Sequence, residues 1–507
     1  MAGSADDLFN NGMREILYAD VGAYPLYVHC FGDILNRRLC VELENKGLLD
    51  ESKEGPTGAG GTPSWFKIRH YLKSVLKKKP NVKGFDVLFL SRYRPIDIDG
   101  ADGFKTDYLF TSVINEVSKS HPSPRIALVS VGGHGNLYTD GRVANFSLFE
   151  FLSPGLLLKS VVRSVLLRFR YRRIAKRLST VQKKMFDGSF SLSSLLFYHL
   201  LDFCLSKTIN SLKPKVVVAN DDVLTFKPST DRDFQLVVLQ SALVTEQNER
   251  HRSLLFSSFL EDKLLSDYFC ASGPQSESLK RKFPKDTKHL VVTGQPRFDK
   301  VAKADRIFDK DEICRKFGLA VSGKILFWAT ETHALPLKEN RENIDAVYHA
   351  LQSLQNVQLV VKLHPAEDQE APLYRQNRSY TPLIVGGSKD LSELLFVCDL
   401  MITKSSTAAI EAAIMNKPII VLNLSGEPDI MPYVEKGVAL GAYRKGDLLR
   451  TIKDALHNMK VCEKLAMARD RFVYDYAYVQ DGKASERVAD LVVGLMKESH
   501  GKIITTR

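Results

Sequence analysis

The sequence predicts an α/β protein made of two doubly wound parallel-sheet halves. Three observations carry that expectation. Short apolar runs such as DVLFLS, KVVVAN and KILFWAT recur along the chain. Segments with helical periodicity separate them, as crossover helices separate the strands of a parallel sheet. The 507 residues are enough to bury several cores, which fits two domains.

Residues 1–85 stand apart as an amino-terminal extension. YVHCFGDILNRRLCVELENKG carries apolar residues at helical spacing and ends at Gly47, a helix-capping type. ESKEGPTGAGGTPS, 51–64, is rich in Gly, Pro and small polar residues and reads as a flexible loop.

The first α/β half spans 86–287, with strands at DVLFLS (86–91), RIALVSV (125–131) and KVVVAN (215–220), and a helix over 191–212 entering the last. The second half, 288–480, shows the clearer series. Its strands are HLVVTG (289–294), KILFWAT (324–330), VQLVVKLHP (357–365), LIVGG (383–387), DLMITKSS (399–406) and PIIVLNLSG (418–426). NIDAVYHALQSLQ and TAAIEAAIMNK have helical periodicity between them. Ligands of such sheets sit at the carboxyl ends of the strands, so residues there become site candidates. A tail, 481–507, follows.

Composition narrows the function classes. The formal net charge of +12 suits nucleic acid, an anionic substrate or a membrane surface. Seven scattered cysteines have no metal spacing and read as reduced core residues of an intracellular protein. MAGSADDLFNNGMREIL lacks the basic start and apolar run of a signal peptide. No window reaches eighteen uncharged apolar residues, which argues against a membrane span.

Residues 156–184 hold ten Lys or Arg and no acid. Leu158, Val162, Val165 and Phe169 recur at three- and four-residue steps, while Arg163, Arg170 and Arg177 line another face. Such a helix suits an anionic bilayer surface, or packs on its own domain with its charges solvated. Nucleic acid is disfavoured by the lack of a zinc finger, an RNA-recognition aromatic pair or a second dense basic cluster.

Three stretches are expected to converge on one phosphate if the second half is doubly wound. In VVTGQPRFDK, Gly294 lets backbone approach a ligand and Arg297 pairs with phosphate; an interdomain turn is the alternative. In VVKLHP, Lys362 and His364 lie near a strand end, where an imidazole can donate to a phosphate oxygen. In ITKSSTAAIEAA, Ser405, Ser406 and Thr407 stand between a strand and an Ala-rich helix. One hydroxyl suffices for a cap, and the free N–H groups beyond it suit an anion. Glu411, one turn into that helix, can accept sugar hydroxyls or sit at the core rim.

Other loops carry weaker signals. WATETHA places Thr330, Glu331, Thr332 and His333 after a strand, in contact with the donor or as a structural loop. GGHGN (132–136) puts His134 after a strand of the first half, and ANDD (219–222) does the same for Asp221 and Asp222. Each can deprotonate a hydroxyl, although an aspartate there can equally cap a helix. The 12 histidines show no compact spacing with acids or cysteines, so no metal site is expected. The P-loop, the dinucleotide fingerprint and the GxSxG elbow are missing from the sequence.

Taken together, VVTGQPRFDK, ILFWATETH, VVKLHPAED, DLMITKSSTAAIEAAIMNKPIIVLN and DGKASERVADLV (481–492) resemble the carboxyl half of B-type, two-Rossmann glycosyltransferases of surface or capsular polysaccharide synthesis. CDP-glycerol glycerophosphotransferases, capsule Kdo transferases and polysialyltransferases are the near groups, and UDP-N-acetylglucosamine 2-epimerases share the architecture. The resemblance covers 285–495 and is only topological over 86–230. It implies two facing Rossmann-like domains with a nucleotide-sugar site between them. It also implies that His364–Pro365 and Ser405–Ser406–Thr407 hold the nucleotide's phosphate, and that the last helix, near 482–495, crosses back to brace the amino-terminal domain. Many relatives carry Gln-His-Gly at the end of an amino-domain strand, where this chain has VVLQSALVTEQNERH.

The function expected is transfer of a sugar, sugar-like or polyol-phosphate unit from a CMP-, CDP- or UDP-linked donor to a glycan or lipid-linked acceptor. His134, Asp221 or Asp222 would serve as base. The donor acts as co-substrate, with no tightly bound cofactor and no divalent metal required. A cytoplasmic chain, peripheral on the inner face of a membrane, is the expected setting. A UDP-N-acetylglucosamine 2-epimerase is the alternative, disfavoured by the extension and the basic helix. A non-catalytic glycan-binding protein would lack nucleotide affinity.

Overall fold

A computed structural model of the chain describes residues 74–76, 80, 82, 84–91, 96–97, 105–107, 109–130, 142–220, 233–241, 243, 266–282, 287–331, 337–364, 367, 371–375, 380–386 and 391–504. The expected loop at 51–64 lies outside them, as does all of the extension before it. The chain divides into two compact units. The first runs to Ala271 and takes in Glu277–Val291 and Glu486–Arg507; the second holds Ser272–Ser276 and Val292–Ser485.

In the first unit a seven-stranded sheet is formed by β1 (Val87–Ser91), β4 (Ile126–Ser130), β5 (Val143–Ser147), β6 (Val216–Asn220), β7 (Gln235–Leu239), β8 (Ser266–Ala271) and β9 (Thr287–Val292). Two short strands, β2 (Ile96–Asp97) and β3 (Lys105–Thr106), pair antiparallel on their own. The strand order is β5-β4-β1-β6-β7-β8-β9. Val87 pairs in parallel register with Ile126 on one side and Val216 on the other. All residues of β1, β4 and β6 are buried, as a sheet covered on both faces requires.

Helices of this unit include, in chain order, α1 (Thr111–Ser118), which buries Val113, Ile114 and Val117. Helix α2 (Pro154–Ile174) starts with Pro154 behind the Ser153 cap. The basic segment is not one helix through 184. Ser179 and Gln182 form a capping box that begins a new helix, α3 (Thr180–Phe186). Helix α4 (Leu192–Leu212) ends at Lys213, in the left-handed region at φ 50°.

The second unit has a six-stranded sheet of β10 (Lys324–Ala329), β11 (Val357–Lys362), β12 (Leu383–Val385), β13 (Leu400–Thr403), β14 (Ile419–Leu422) and β15 (Leu440–Ala442). Its order is β12-β11-β10-β13-β14-β15, with all five pairings parallel. Helices α5 (Phe298–Val301), α6 (Leu337–Gln352), α7 (Ala408–Ile414), α8 (Leu448–His457) and α9 (Met459–Ala477) accompany it. Helix α10 (Ala484–Ile504) closes the chain. Its Val488, Ala489, Val492, Leu495 and Met496 join the first unit's core, with Val87, Phe89 and Val216.

One expected strand changes place. HLVVTG, assigned by sequence to the second half, forms the edge strand β9 of the first sheet. Gly294 therefore does not end a strand of the sheet that carries His364 and Ser405. Apart from the two-residue β2 and β3, four strands, β5, β7, β8 and β15, are additional to those expected. Three of them lack a long apolar run: VANFS, SDYFCA and LGA are mixed or very short. Among the described residues, no helix is long and apolar enough to cross a membrane.

Candidate functional site

The carboxyl ends of β10, β11, β13 and β14 lie side by side in the second sheet, and most candidate residues follow them. Strand β11 delivers Lys362 and His364. The Lys362 side chain is 5% exposed, and its Nζ donates to the carbonyls of Leu363 at 3.1 Å and Gly386 at 3.4 Å. It braces the ends of β11 and β12 rather than facing solvent. His364 is exposed. Its carbonyl accepts from Glu367 N at 2.8 Å, and its own N–H donates to Glu367 Oε2 at 3.4 Å. Glu367 is fully buried and also accepts from Thr330 Oγ1 at 2.5 Å. The Thr330 hydroxyl is thus spent on holding the β10 and β11 ends together, while His364 remains exposed.

Between β13 and α7 stand Ser405, Ser406 and Thr407. Thr407 is the N-cap residue but makes no side-chain cap bond. Ser406 supplies one instead, its Oγ accepting from Ala408 N at 3.3 Å. Ser405 faces Glu331. That carboxylate accepts from Ser405 N at 2.7 Å, from Thr403 Oγ1 at 2.8 Å and from the Ser405 hydroxyl. An acid of the chain itself therefore holds the donors that sequence reasoning reserved for a phosphate. Sequence reasoning put Glu331 in a loop that touches the donor or is structural, and did not foresee its bonds to Ser405 and Thr403.

Gly294 is buried, with φ at 80°, a conformation that favours glycine. The turn it makes brings Arg297 to the head of α5. There Arg297 Nε lies 3.8 Å from Glu411 Oε1 on α7, and the guanidinium sits over the Phe298 ring at 4.9 Å. Glu411 is 6% exposed, and burial pushes its carboxyl up while Arg297 pulls the other way. Tyr433, fully buried, donates to the Ser406 carbonyl at 2.9 Å. Beside these, Lys404 pairs with Glu339. Arg297, Glu411 and Ser405–Thr407 thus gather around one short helix, and Arg297, Glu411, Ser405 and Ser406 already hold a partner or a cap there.

His134, Asp221 and Asp222 lie outside the described residues, as do Thr332, His333 and Pro365. The strands that precede the three catalytic candidates, β4 and β6, end in the buried polar residues Ser130 and Asn220. Beside them Asp107 accepts from Leu109 N at 2.8 Å, Phe110 N at 2.9 Å and the Ser91 hydroxyl. Burial raises its carboxyl pKa, against the pull of those three bonds. No sequence motif marked it. Among the described residues, no group of three His, Cys, Asp or Glu is placed to hold a metal ion.

Comparison with known proteins bears on this arrangement. A family model, CDP-Glycerol:Poly(glycerophosphate) glycerophosphotransferase, matches residues 234–494. A teichoic acid poly(ribitol-phosphate) polymerase of Bacillus spizizenii is 26% identical over 225 residues, 42% of this chain and 34% of that protein. The chain thus spans about a third of the length of the curated relative it matches. A solved structure of the wall teichoic acid polymerase TagF is 16% identical, with a TM-score of 0.49, over 86% of this chain and 95% of that one. A putative UDP-N-acetylglucosamine 2-epimerase from Listeria monocytogenes is 15% identical, with a TM-score of 0.50, over 82% and 97%. The last likeness is one of fold.

Proposed function

Because the chain belongs to the CDP-glycerol:poly(glycerophosphate) glycerophosphotransferase family, we propose that it transfers a polyol-phosphate unit from a CDP-linked donor to a growing glycan or lipid-linked surface polymer. The observation that carries this reading is the family match over 234–494, which includes His364 and Ser405–Thr407. The epimerase likeness extends to architecture only, so it supports no epimerase reaction.

In the proposed reaction an acceptor hydroxyl oxygen forms a bond to the polyol-side phosphorus. The bridging P–O bond breaks, CMP leaves, and the hydroxyl proton passes to a base. The His364 ring donates to a phosphate oxygen, and the Ser405–Thr407 turn cradles the charge that grows on CMP. Glu331 has to leave Ser405 for that, since a carboxylate and a phosphate repel each other at one set of donors. Arg297, paired with Glu411 on α7, offsets the accumulating negative charge. His134, Asp221 and Asp222 remain the candidate bases. The donor is a co-substrate, and no tightly bound cofactor or divalent metal is invoked. The proposal places the chain peripherally at the inner face of a membrane, supported by the ten Lys or Arg without an acid over 156–184.

Incubation with CDP-glycerol, CDP-ribitol or UDP-N-acetylglucosamine, with and without a glycerophosphate-primed acceptor, tests the reading. The expected result is CMP release that needs both a CDP-polyol and the acceptor, with donor affinity falling at least tenfold in His364→Ala. Epimer formation from the UDP-sugar alone would establish the epimerase instead. A chain that binds none of these nucleotides would be a non-catalytic protein.

A further inference from the structure

The second sheet has two ends, and the candidate donor site occupies only the carboxyl one. At the other end Lys324 opens β10, Val357 opens β11 and Asp399 immediately precedes β13. With Lys310 and the last turn of α8, these residues line a cavity of about 600 Å³. That volume falls within the roughly 300–1,000 Å³ usual for small-ligand sites. The whole lining belongs to the second unit.

The loops around the cavity are tied to one another. Asn356 Nδ2 donates to the Ser322 carbonyl at 2.9 Å, and Lys324 N donates to the Asn356 carbonyl at 2.9 Å. Asn356 sits in the left-handed region at φ 53°, which Asn enters more readily than most residues. Gln358 adds two bonds, accepting from Ala320 N at 2.7 Å and donating to the Ala320 carbonyl at 2.8 Å. The walls are therefore held by the fold.

The lining is basic. It holds Lys310, Lys324, Lys453 and His457 against one acid, Asp399. Both oxygens of that acid are engaged, one by Lys324 Nζ at 2.9 Å and the other by Ile325 N at 2.9 Å. With that pair cancelled, Lys310 and Lys453 stay as exposed cations with no carboxylate partner among the described residues. Ser353, Gln355 and Asn356 add polar groups, and Val321, Leu354 and Leu456 add small apolar surfaces. No Phe, Tyr or Trp lines the cavity among the described residues, so a nucleic-acid base has no such ring to stack on.

We infer that this cavity is a second binding site for the polyol-phosphate polymer, separate from the donor site at the opposite end of the same sheet. Phosphates of such a chain meet the lysines, its hydroxyls meet Ser353, Gln355 and Asn356, and its short carbon units rest on the apolar surfaces. The anion site rests on the cavity and its charges; the polymer as occupant rests on the proposed transferase reading. Strand β10 has six residues, so the two ends of the sheet lie about 20 Å apart. A polymer longer than that can stay in the cavity while its growing end lies at the donor site. Such a second hold raises the effective concentration of that end and retains the product between additions.

The test is lysine acetylation of the full chain, read peptide by peptide, with a glycerophosphate oligomer, inorganic phosphate or single-stranded RNA present. Titration calorimetry with the oligomer accompanies it, on the parent and on a variant combining Lys310→Gln, Lys453→Gln and His457→Gln. All three side chains are exposed, so the variant should melt at the parent temperature. The oligomer should shield Lys310 and Lys453 from acetylation, and inorganic phosphate should shield them far less. The variant should lose at least tenfold in oligomer affinity, while its CMP release with a single-unit acceptor stays at the parent rate. Unshielded lysines together with unchanged affinity would overturn the site, whatever the transferase assay shows. Equal shielding by inorganic phosphate, or stronger shielding by RNA, would overturn the polymer as occupant. Shielding by the oligomer in a chain that releases no CMP from any CDP-polyol would uphold the site and refute the transferase reading alone.

Discussion

Glu331→Ala is the substitution that separates a brace from a placeholder. The carboxylate accepts from Ser405 N at 2.7 Å, Thr403 Oγ1 at 2.8 Å and the Ser405 hydroxyl. Hydrogen bonds to a charged group contribute about 1.5–3 kcal/mol each. Ser405 is half-buried, so its freed donors can reach water, and the fold should lose about 1–3 kcal/mol in total. If a donor phosphate has to displace Glu331, the same removal spares it the loss of about one such bond. Affinity for CDP or CMP should then rise about 10- to 100-fold. Titration calorimetry on parent and variant, with thermal melting in the absence of nucleotide, reads both quantities. Glu331→Gln, which keeps an acceptor but loses the charge, should fall between the two. Affinity that drops together with the melting temperature would refute the displacement argument and make Glu331 part of the donor site or a plain brace.

Further outcomes follow from the packing and the charges. A Cβ on Gly273 would stand 2.4 Å from the Asp475 carbonyl oxygen and 2.8 Å from the Tyr476 carbonyl carbon. Both are backbone atoms, so Gly273→Ala should cost about 1–3 kcal/mol in urea unfolding; an unchanged midpoint would contradict that close approach. Burial raises the Glu411 pKa in the folded chain. Such a carboxyl keeps its stabilising contribution below the unfolded value, about 4.3, and loses it as pH rises through the folded one. Glu411→Gln should therefore gain on the parent between acid and neutral pH, and a difference that shrinks over that range would contradict the shift. Among His134→Ala, Asp221→Ala and Asp222→Ala, the variant lacking the base should lose turnover far more than donor affinity. Three variants at the parent rate would place the base elsewhere, Asp97 or Asp99 being next.

The apolar runs that predict strands are a local signal, because a strand buried on both faces needs consecutive apolar residues whatever its neighbours. For that reason DVLFLS, KVVVAN, KILFWAT and VQLVVK are strands in the structure, and the helices after β10 and β13 lie near the expected positions. The family resemblance in the carboxyl half was legible in the same way, from residues contiguous in the chain. Which sheet a strand joins is a different matter, since pairing partners lie far away in sequence. HLVV has the composition of either sheet, and only the tertiary contacts put it at the edge of the first. The same limit governs the site. A lysine after a strand reads as a phosphate ligand until the carbonyls of Leu363 and Gly386 claim its ammonium. A glutamate 74 residues from Ser405 shows no connection to it until the sheet brings β10 and β13 together. In α2 the sequence alone determined that an apolar stripe and a basic border exist. The bonds of Ser164 and Tyr171 to α4 and Asp187 decided which way they face, because rotation about a helix axis is set by its packing partners and not by its own periodicity.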